Sequence, residues 1–469
     1  MRLLTKQQKK HLLLAGITLA CIGSMGTSTY AANLQQPPAM AGQGQPPTPP
    51  NGDLPPGPPP DGKFGGIHAA QSDGSDLKAA KIVEGSSLSL SGQKLATGNT
   101  DENVLLVRKS GTLTLTDSEL TKTGDSSSAD ASNFTGQNAI FLANNSTAVL
   151  ENLTLTSDAD GSNAIFATGE QAQVNARHIK IHTKNNSSRG LDATYGGTIN
   201  AEDVNITTEG AHCGALATDR GEGNIIVNCA KIHTSGEGSP CIYSTGNIQL
   251  TNGEGIATGS EIAVVEGKNS ITLHNANLTG HVKHGVMLYQ SFSGDANVGI
   301  AEFTATNSVL NNQSSGSMFY ITNTTAKATL ENTTLNQSGN ILVNVTSDRW
   351  GSTGKNGGDF TLNAQKQHLK GQILANNISK VTLNLGEGST FNGTINNDNQ
   401  AEAANISLTK GASWQLTADA YVTTISNEQE DFSNIASNKH NIYYDKTSNP
   451  SLNGKTISLP GGGKLKPMH

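Results

Sequence analysis

Large apolar groups are scarce in this chain: 4% of its 469 residues are aromatic and 34% hydrophobic. So thin a supply excludes a thick globular core and favours an elongated one filled by small aliphatic residues. Charged residues make up 15%, too few for charge-driven disorder. No later segment approaches the roughly 20 apolar residues of a spanning helix. Lys and Arg number 31 against 38 Asp and Glu, and losing Arg2, Lys6, Lys9 and Lys10 with a leader takes the net charge from −7 to −11. A nucleic-acid backbone is therefore not an expected partner. What fills the gap is Gly, 52 residues, with abundant Asn, Thr and Ser, the composition of a turn-rich all-β repeat.

The N-terminus reads as a secretory signal over 1–31. Four basic residues precede an apolar run of 11 from Leu12 to Ile22, and Thr29-Tyr30-Ala31 ends in small residues at −3 and −1. Cleavage is expected after Ala31. Cys21 invites lipidation, but Thr18 stands where a lipoprotein signal usually has Leu. Eleven of the 15 prolines fall between Pro37 and Pro60, and such a stretch extends rather than packs. Residues 32–75 are read as a spacer, 76–425 as the repeat and 426–469 as a C-terminal cap, with 76–105 closing the other end.

Short apolar strands open at Ile140, Ile165, Leu191, Leu216, Ile242, Ala263, Val286, Phe319, Ile341 and Ile373, spaced 25, 26, 25, 26, 21, 23, 33, 22 and 32 residues apart. A second strand follows each by about ten residues, as in Val149–Leu155, Ile199–Ile206 and Ile271–Leu278, written with the period-two alternation of a half-buried strand. Turns of this length match one coil of a parallel β-helix, whose strands pair with their equivalents about 4.8 Å away. The longer spacings mark insertions; Thr123–Gln137, Gly294–Gly299 and Arg349–Gly358 are the candidates. Asp117, Asn152, His178, Asp203, Cys229, Asn275, Asn307 and Asn332 fall at equivalent places between strands. They predict an asparagine-type ladder whose amides satisfy the backbone of a tight bend.

These residues resemble the right-handed parallel β-helices of secreted bacterial surface proteins, including autotransporter passengers and pectate-lyase-like proteins, over about Ile82–Val422. The likeness is strongest at Gly388–Ile395 and Gly411–Thr417, which look like last coils of autotransporter adhesins. The fold class implied is an all-β solenoid of roughly 11–13 coils with terminal caps. The 47 residues after Val422 are too few for a translocator barrel of eight or more strands. Leu459-Pro460-Gly461 starts like a sortase signal but lacks its Thr and hydrophobic tail.

Several constellations are candidates for chemistry. His178, Asp203 and Cys229 share a column, but His178 and Cys229 would stand roughly 10 Å apart, beyond the reach of a base for its nucleophile. His182 and His233 are likewise too far apart for zinc. The stronger enzymatic candidate gathers Arg189, Asp192, Asp219, Arg220, Glu222, Glu266 and Lys268, with His212 and His284 nearby. The resemblance implies that acids, Arg and Lys on one outer face would act on a polysaccharide. Asp192 and Asp219 are expected near 8 Å apart, within the range of an inverting pair. Alternating charges across exposed strands give the simpler structural account. The second strand positions, Phe141, Phe166, Asp192, Ala217, Tyr243, Val264, Met287, Tyr320, Leu342 and Leu374, predict an outward apolar stripe, either a partner surface or a face covered by loops. Cys213 and Cys241 are a candidate disulfide between coils, with Cys229 buried in its ladder. Asn-x-Ser/Thr triplets follow from Asn ladders beside Thr-rich strands.

Three functions stay open at this level. The leading one is a non-enzymatic rod at a bacterial surface, secreted and used in adhesion or aggregation, with a surface receptor, a polysaccharide or itself as partner. The second is a polysaccharide lyase or hydrolase, and the third a carbohydrate-binding module using Tyr243, Tyr289 and Tyr320. No metal and no cofactor are expected, since no loop carries regular Asp spacing.

Overall fold

A computed structural model describes residues 72–468. The readings that fall on residues 1–71, the signal, Cys21 and most of the spacer, lie outside them. The described chain is a parallel β-solenoid of about 16 turns, with a single α-helix, α1 (Ala129–Thr135). The count exceeds 11–13 because turns continue at both ends, where the opening-strand pattern is weakest. Residues 78–108 form the first turn and begin the second rather than making a separate cap.

One sheet stacks 15 short strands in chain order from Lys78–Glu84 to Ile435–Ala436. Its inward column runs Phe141, Ile165, Leu191, Leu216, Ile242, Ala263, Val286, Phe319 in strict register. Every member is fully buried, so a narrow core is filled by stacking like on like. Phe303 and Phe360, from the second set of strands, pack against Phe319 with centroids 6.0 and 6.1 Å away.

A second set of strands wraps a corner. Thr112–Lys122 alternates outward and inward up to Thr116; Asp117 then adds an extra outward residue, and burial resumes at Ser118. The cause is a left-handed residue, and the same φ recurs at Asn152 (56°), His178 (54°), Asp203 (54°), Cys229 (60°), Asn275 (51°), Asn307 (50°) and Asn332 (47°). Asn252 and Lys366 belong to this column as well. Asn and Asp tolerate this region better than most residues, so the ladder composition follows from backbone conformation.

The ladder side chains are exposed and bond mainly to one another. Asn152 donates to Asp117 at 3.0 Å, Asn332 to Asn307 at 2.7 Å and Asn275 to Asn252 at 3.3 Å. Cys229 is exposed, not buried, and Asn252 bypasses it to reach Asn228 at 3.0 Å. The bend's backbone is instead served from inside, one residue later. Ser118 Oγ donates to the Thr116 carbonyl (2.6 Å) and accepts from Gln93 N–H (2.9 Å); Ser308 and Thr333 repeat the arrangement.

Cys213 and Cys241 are free thiols, both buried. Cys213 sits in a second internal ladder, Ser162, Ser188, Cys213, Ser239. Its Sγ accepts from Ser188 N–H at 3.0 Å, and its own N–H donates to Ser239 Oγ at 2.9 Å. It replaces a serine in a hydrogen-bonding role, two positions before the inward-facing column that holds Ala215 and Cys241. Burial pushes the Cys213 thiol up to about 11 and the Cys241 thiol up to about 12, so both stay protonated at neutral pH.

Within the last turns, Ala420–Val422, Ile442–Tyr444 and Lys464–Pro467 make a small parallel sheet, and Ile457–Ser458 pairs antiparallel on its edge. Ile442, Tyr444 and Leu465 are fully buried there. Among the described residues, no helix is long and apolar enough to cross a membrane.

Candidate functional site

The charged cluster and the apolar stripe meet on one lateral face, the outer side of the 15-stranded sheet. That face is covered. Phe141 belongs to the inward core column, because it pairs with Ile165; the outward neighbours are Leu142 and Phe166, both fully buried. They pack with Leu77, Leu106 and Ala139 in a second apolar cluster. Along the same outward column Ala217, Val264 and Tyr320 are also buried, and Tyr243 and Met287 half-buried.

Three insertions supply the cover. The first carries α1, which is capped by Ser128 Oγ on the Ala131 N–H (3.2 Å) and ends at left-handed Gly136. A side chain at Gly136 would collide with Leu142 and Phe166, so the helix leaves the surface only because that residue is glycine. The second insertion, residues 290–299, and the third, 346–358, lie farther along. Trp350 of the third sits against Tyr289, centroids 5.7 Å apart, and Asp348 accepts from the Tyr320 hydroxyl at 2.8 Å.

Beneath them is a buried ionic network. Arg189 donates to Asp192 Oδ2 and contacts Asp219 Oδ2, each at 2.9 Å, with side-chain exposures of 9%, 0% and 5%. One guanidinium thus joins carboxylates from neighbouring turns, using the fork geometry that Lys lacks. Two carboxylates share one positive charge, so the trio carries an excess negative charge out of water. Burial pushes Asp192 up to about 6 and Asp219 up to about 7, with Arg189 opposing the rise in both. Asp192 Oδ1 has no hydrogen-bond partner.

Arg220 ties both covers down. Its guanidinium lies 3.8 Å from the Phe134 ring of α1 and 2.7 Å from Asp295 of the second insertion. Nearby, Glu266 is buried and accepts hydrogen bonds from Tyr243 (2.9 Å), Tyr289 (2.7 Å) and the Ser291 hydroxyl. Burial raises both phenols far above their ordinary value. Lys268 is exposed and pairs with Glu222 at 3.0 Å, while Asn297 donates to the same carboxylate at 2.6 Å. His284 stacks on Tyr320 at 4.0 Å, and burial next to Lys283 lowers its pKa to about 4.

The chemistry available here is limited by partners and access. Asp192 and Asp219 are bridged by an arginine rather than facing each other across a water-filled gap. A groove of about 480 Å³ does run beside the turns. Asn145, Glu170, Gln171, Tyr195, Gly196, Gly221 and Glu222 line it, and neither buried aspartate is among them. Tyr243 and Tyr289 direct their hydroxyls to Glu266, while Tyr320 has one face on His284 and its hydroxyl on Asp348. Among the described residues no group of three or more His, Cys, Asp or Glu could hold a metal ion.

The bare side of the molecule looks different. The outward positions of the wrapping strands carry Thr, Asn, Gln and Ser in registered rows, such as Asn175 and Asn200, joined at 3.3 Å. Isolated apolar residues, Val149 and Ile226, interrupt them at 44% and 43% exposure. An exposed ion pair, Arg177 with Glu202 at 2.8 Å, and a hydrogen bond between His178 and Asp203 at 2.8 Å join adjacent turns.

No family model, no curated protein and no solved structure matches the chain.

Proposed function

We propose that this chain is a secreted, surface-associated β-helix that mediates adhesion or aggregation without catalysis, binding through its bare lateral face. One observation carries this reading: the buried acids Asp192, Asp219 and Glu266 are bonded to their neighbours beneath the insertions, and the nearby groove contains neither buried aspartate. General acid–base work needs a group within hydrogen-bond reach of a bound substrate, and Asp192, Asp219 and Glu266 are occupied by Arg189, Tyr243, Tyr289 and Ser291. A stiff rod with registered Thr and Asn rows offers a broad flat strip suited to a surface receptor or a polysaccharide.

The test sets release of unsaturated or reducing ends from plant, host and bacterial polysaccharides beside cell aggregation and surface binding by the purified chain. No turnover is expected, and binding should survive Asp192→Asn with Asp219→Asn. Turnover that disappears in the double variant would replace adhesion with a lyase or hydrolase on the covered face. Saturable binding of one soluble glycan without cell binding would favour a carbohydrate-binding module.

A further inference from the structure

The two ends of the solenoid are not equivalent. At the C-terminal end the last long strand of the small sheet, Lys464–Pro467, is paired on both sides, with Ile442–Tyr444 and with Ile457–Ser458. At the other end Lys78–Glu84, Ser87–Ser91 and Lys94–Thr97 pair only with the next turn among the described residues. Leu88, Leu90 and Leu95 of this first turn are half-buried, whereas their registered neighbours Leu113, Leu115 and Leu120 are fully buried.

Residues 72–77 do not reach this edge from above. The Ser72 carbonyl accepts from Asn144 at 3.0 Å, and Gly74 lies against Arg108 and Asn144. Residues 72–77 therefore approach along the side of later turns, and no other strand among the described residues pairs on the free side of Ser87–Ser91.

The free edge has a definite pattern. Thr112 N–H donates to the Ser86 carbonyl and Gly92 N–H to the Thr116 carbonyl. Parallel pairing alternates from there, so Leu88 and Leu90 bond to the next turn while the N–H and C=O groups of Ser87, Ser89 and Ser91 point away. The Ser91 carbonyl on that side is met only by the chain's own Gln93 side chain, at 2.8 Å. Edge strands are normally blunted by charge, Pro or a bulge, and Ser-Leu-Ser-Leu-Ser has none.

We propose that a second copy of this chain docks on the first turn, end to end, about a two-fold axis through Ser89. The sequence Ser87–Ser91 is its own mirror about that residue. Laid antiparallel, Ser89 faces Ser89 and Ser87 faces Ser91, so each outward-pointing N–H meets a carbonyl once Gln93 swings aside. Leu88 then lies opposite Leu90 on the inner side, and the two narrow cores become one. An isologous contact of this kind closes at two copies.

The test uses the purified chain with the exposed Cys229 and the leader Cys21 changed to Ser. Light scattering is expected to give twice the chain mass, falling to one chain mass in Ser89→Pro. That substitution removes an N–H from the free edge and none from the fold. Ser89→Cys should form an intermolecular disulfide on mild oxidation, because directly opposed residues bring their Cα atoms to about 5.5 Å. If Ser89→Pro melts abnormally, the Ser89→Cys cross-link decides alone. A single-chain mass at all concentrations without cross-linking would overturn the proposal, and so would a dimer that persists in a normally folded Ser89→Pro without cross-linking in Ser89→Cys. Capture of the edge by the chain's own upstream residues would give the first of these results.

Discussion

The covered and bare faces are built from the same repeat, yet they use charge in opposite ways. On the bare face Arg177 and Glu202 meet at 54% and 48% side-chain exposure, water still solvates both, and little depends on the pair. On the covered face Arg189 sits between Asp192 and Asp219 at 9% exposure, where losing one partner strands the others. The strands do not make this difference; the insertions do. α1 and residues 290–299 turn an ordinary β-helix flank into an interior, and the charges beneath them become structural.

The largest effect should come from Arg189→Met. Removing one member of a buried ion cluster costs about 3–5 kcal/mol, and thermal melting should show a large drop. Arg177→Met, the matching change on the bare face, should leave the melting temperature essentially unchanged. Equal drops would erase the distinction between the faces.

Next in size is the fastening. Arg220→Ala removes the Asp295 ion pair and the Phe134 contact together. Limited proteolysis should then cut within 290–299 several-fold faster than in the parent chain, while far-ultraviolet dichroism stays that of a β-solenoid, because the stacked turns do not need Arg220. Unchanged cleavage would mean that Ser291 on Glu266 and Asn297 on Glu222 hold the loop without it.

The acids allow a pH test of the same contrast. The folded-state values of Asp192 and Asp219 lie above the unfolded carboxyl value, so the native state binds more protons through the interval between them. Their stabilising contribution is full near pH 4 and is lost as pH rises through about 6 to 7. His284 works the other way: its lowered value costs stability as pH falls from 6.5 towards 4. Asp219→Asn should therefore flatten the decline in melting temperature between about pH 6.5 and 8, where His284 no longer titrates. A variant with the parent slope would place the titration elsewhere.

Much of the solenoid is legible in the sequence. Spacings of 25 and 26 residues and alternating Thr and aliphatics give the parallel stack, and the Asn column gives the bend. Two of the expected opening strands, at Ile140 and Ile341, stand out of register for local reasons. Ile140 is displaced by one because an insertion with its own helix runs directly into that turn, and Ile341 is displaced because a bulge separates it from Val343. The covered face was less legible. Its insertions are marked by Gly-rich or Ser-rich stretches, but Arg220 and Asp295 are 75 residues apart, and periodicity says nothing about which loop folds over which turn. Cys213 is a related case: beside Cys241 it suggests a staple, whereas its neighbours in the ladder are Ser188 and Ser239.

The smallest prediction concerns the bare face, where backbone conformation outweighs side-chain bonding. Asn332 has φ of 47° and donates to Asn307 at 2.7 Å in an exposed ladder. Asn332→Ala loses both the bond and a residue suited to the left-handed region, and should cost about 1 kcal/mol. Asn332→Gly loses the same bond but enters that region freely. If the ladder exists because each bend needs a left-handed residue, the Gly variant should melt closer to the parent than the Ala variant. Equal losses would assign the stabilisation to the amide contacts between turns and make the Asn rows a zipper rather than a record of the corner.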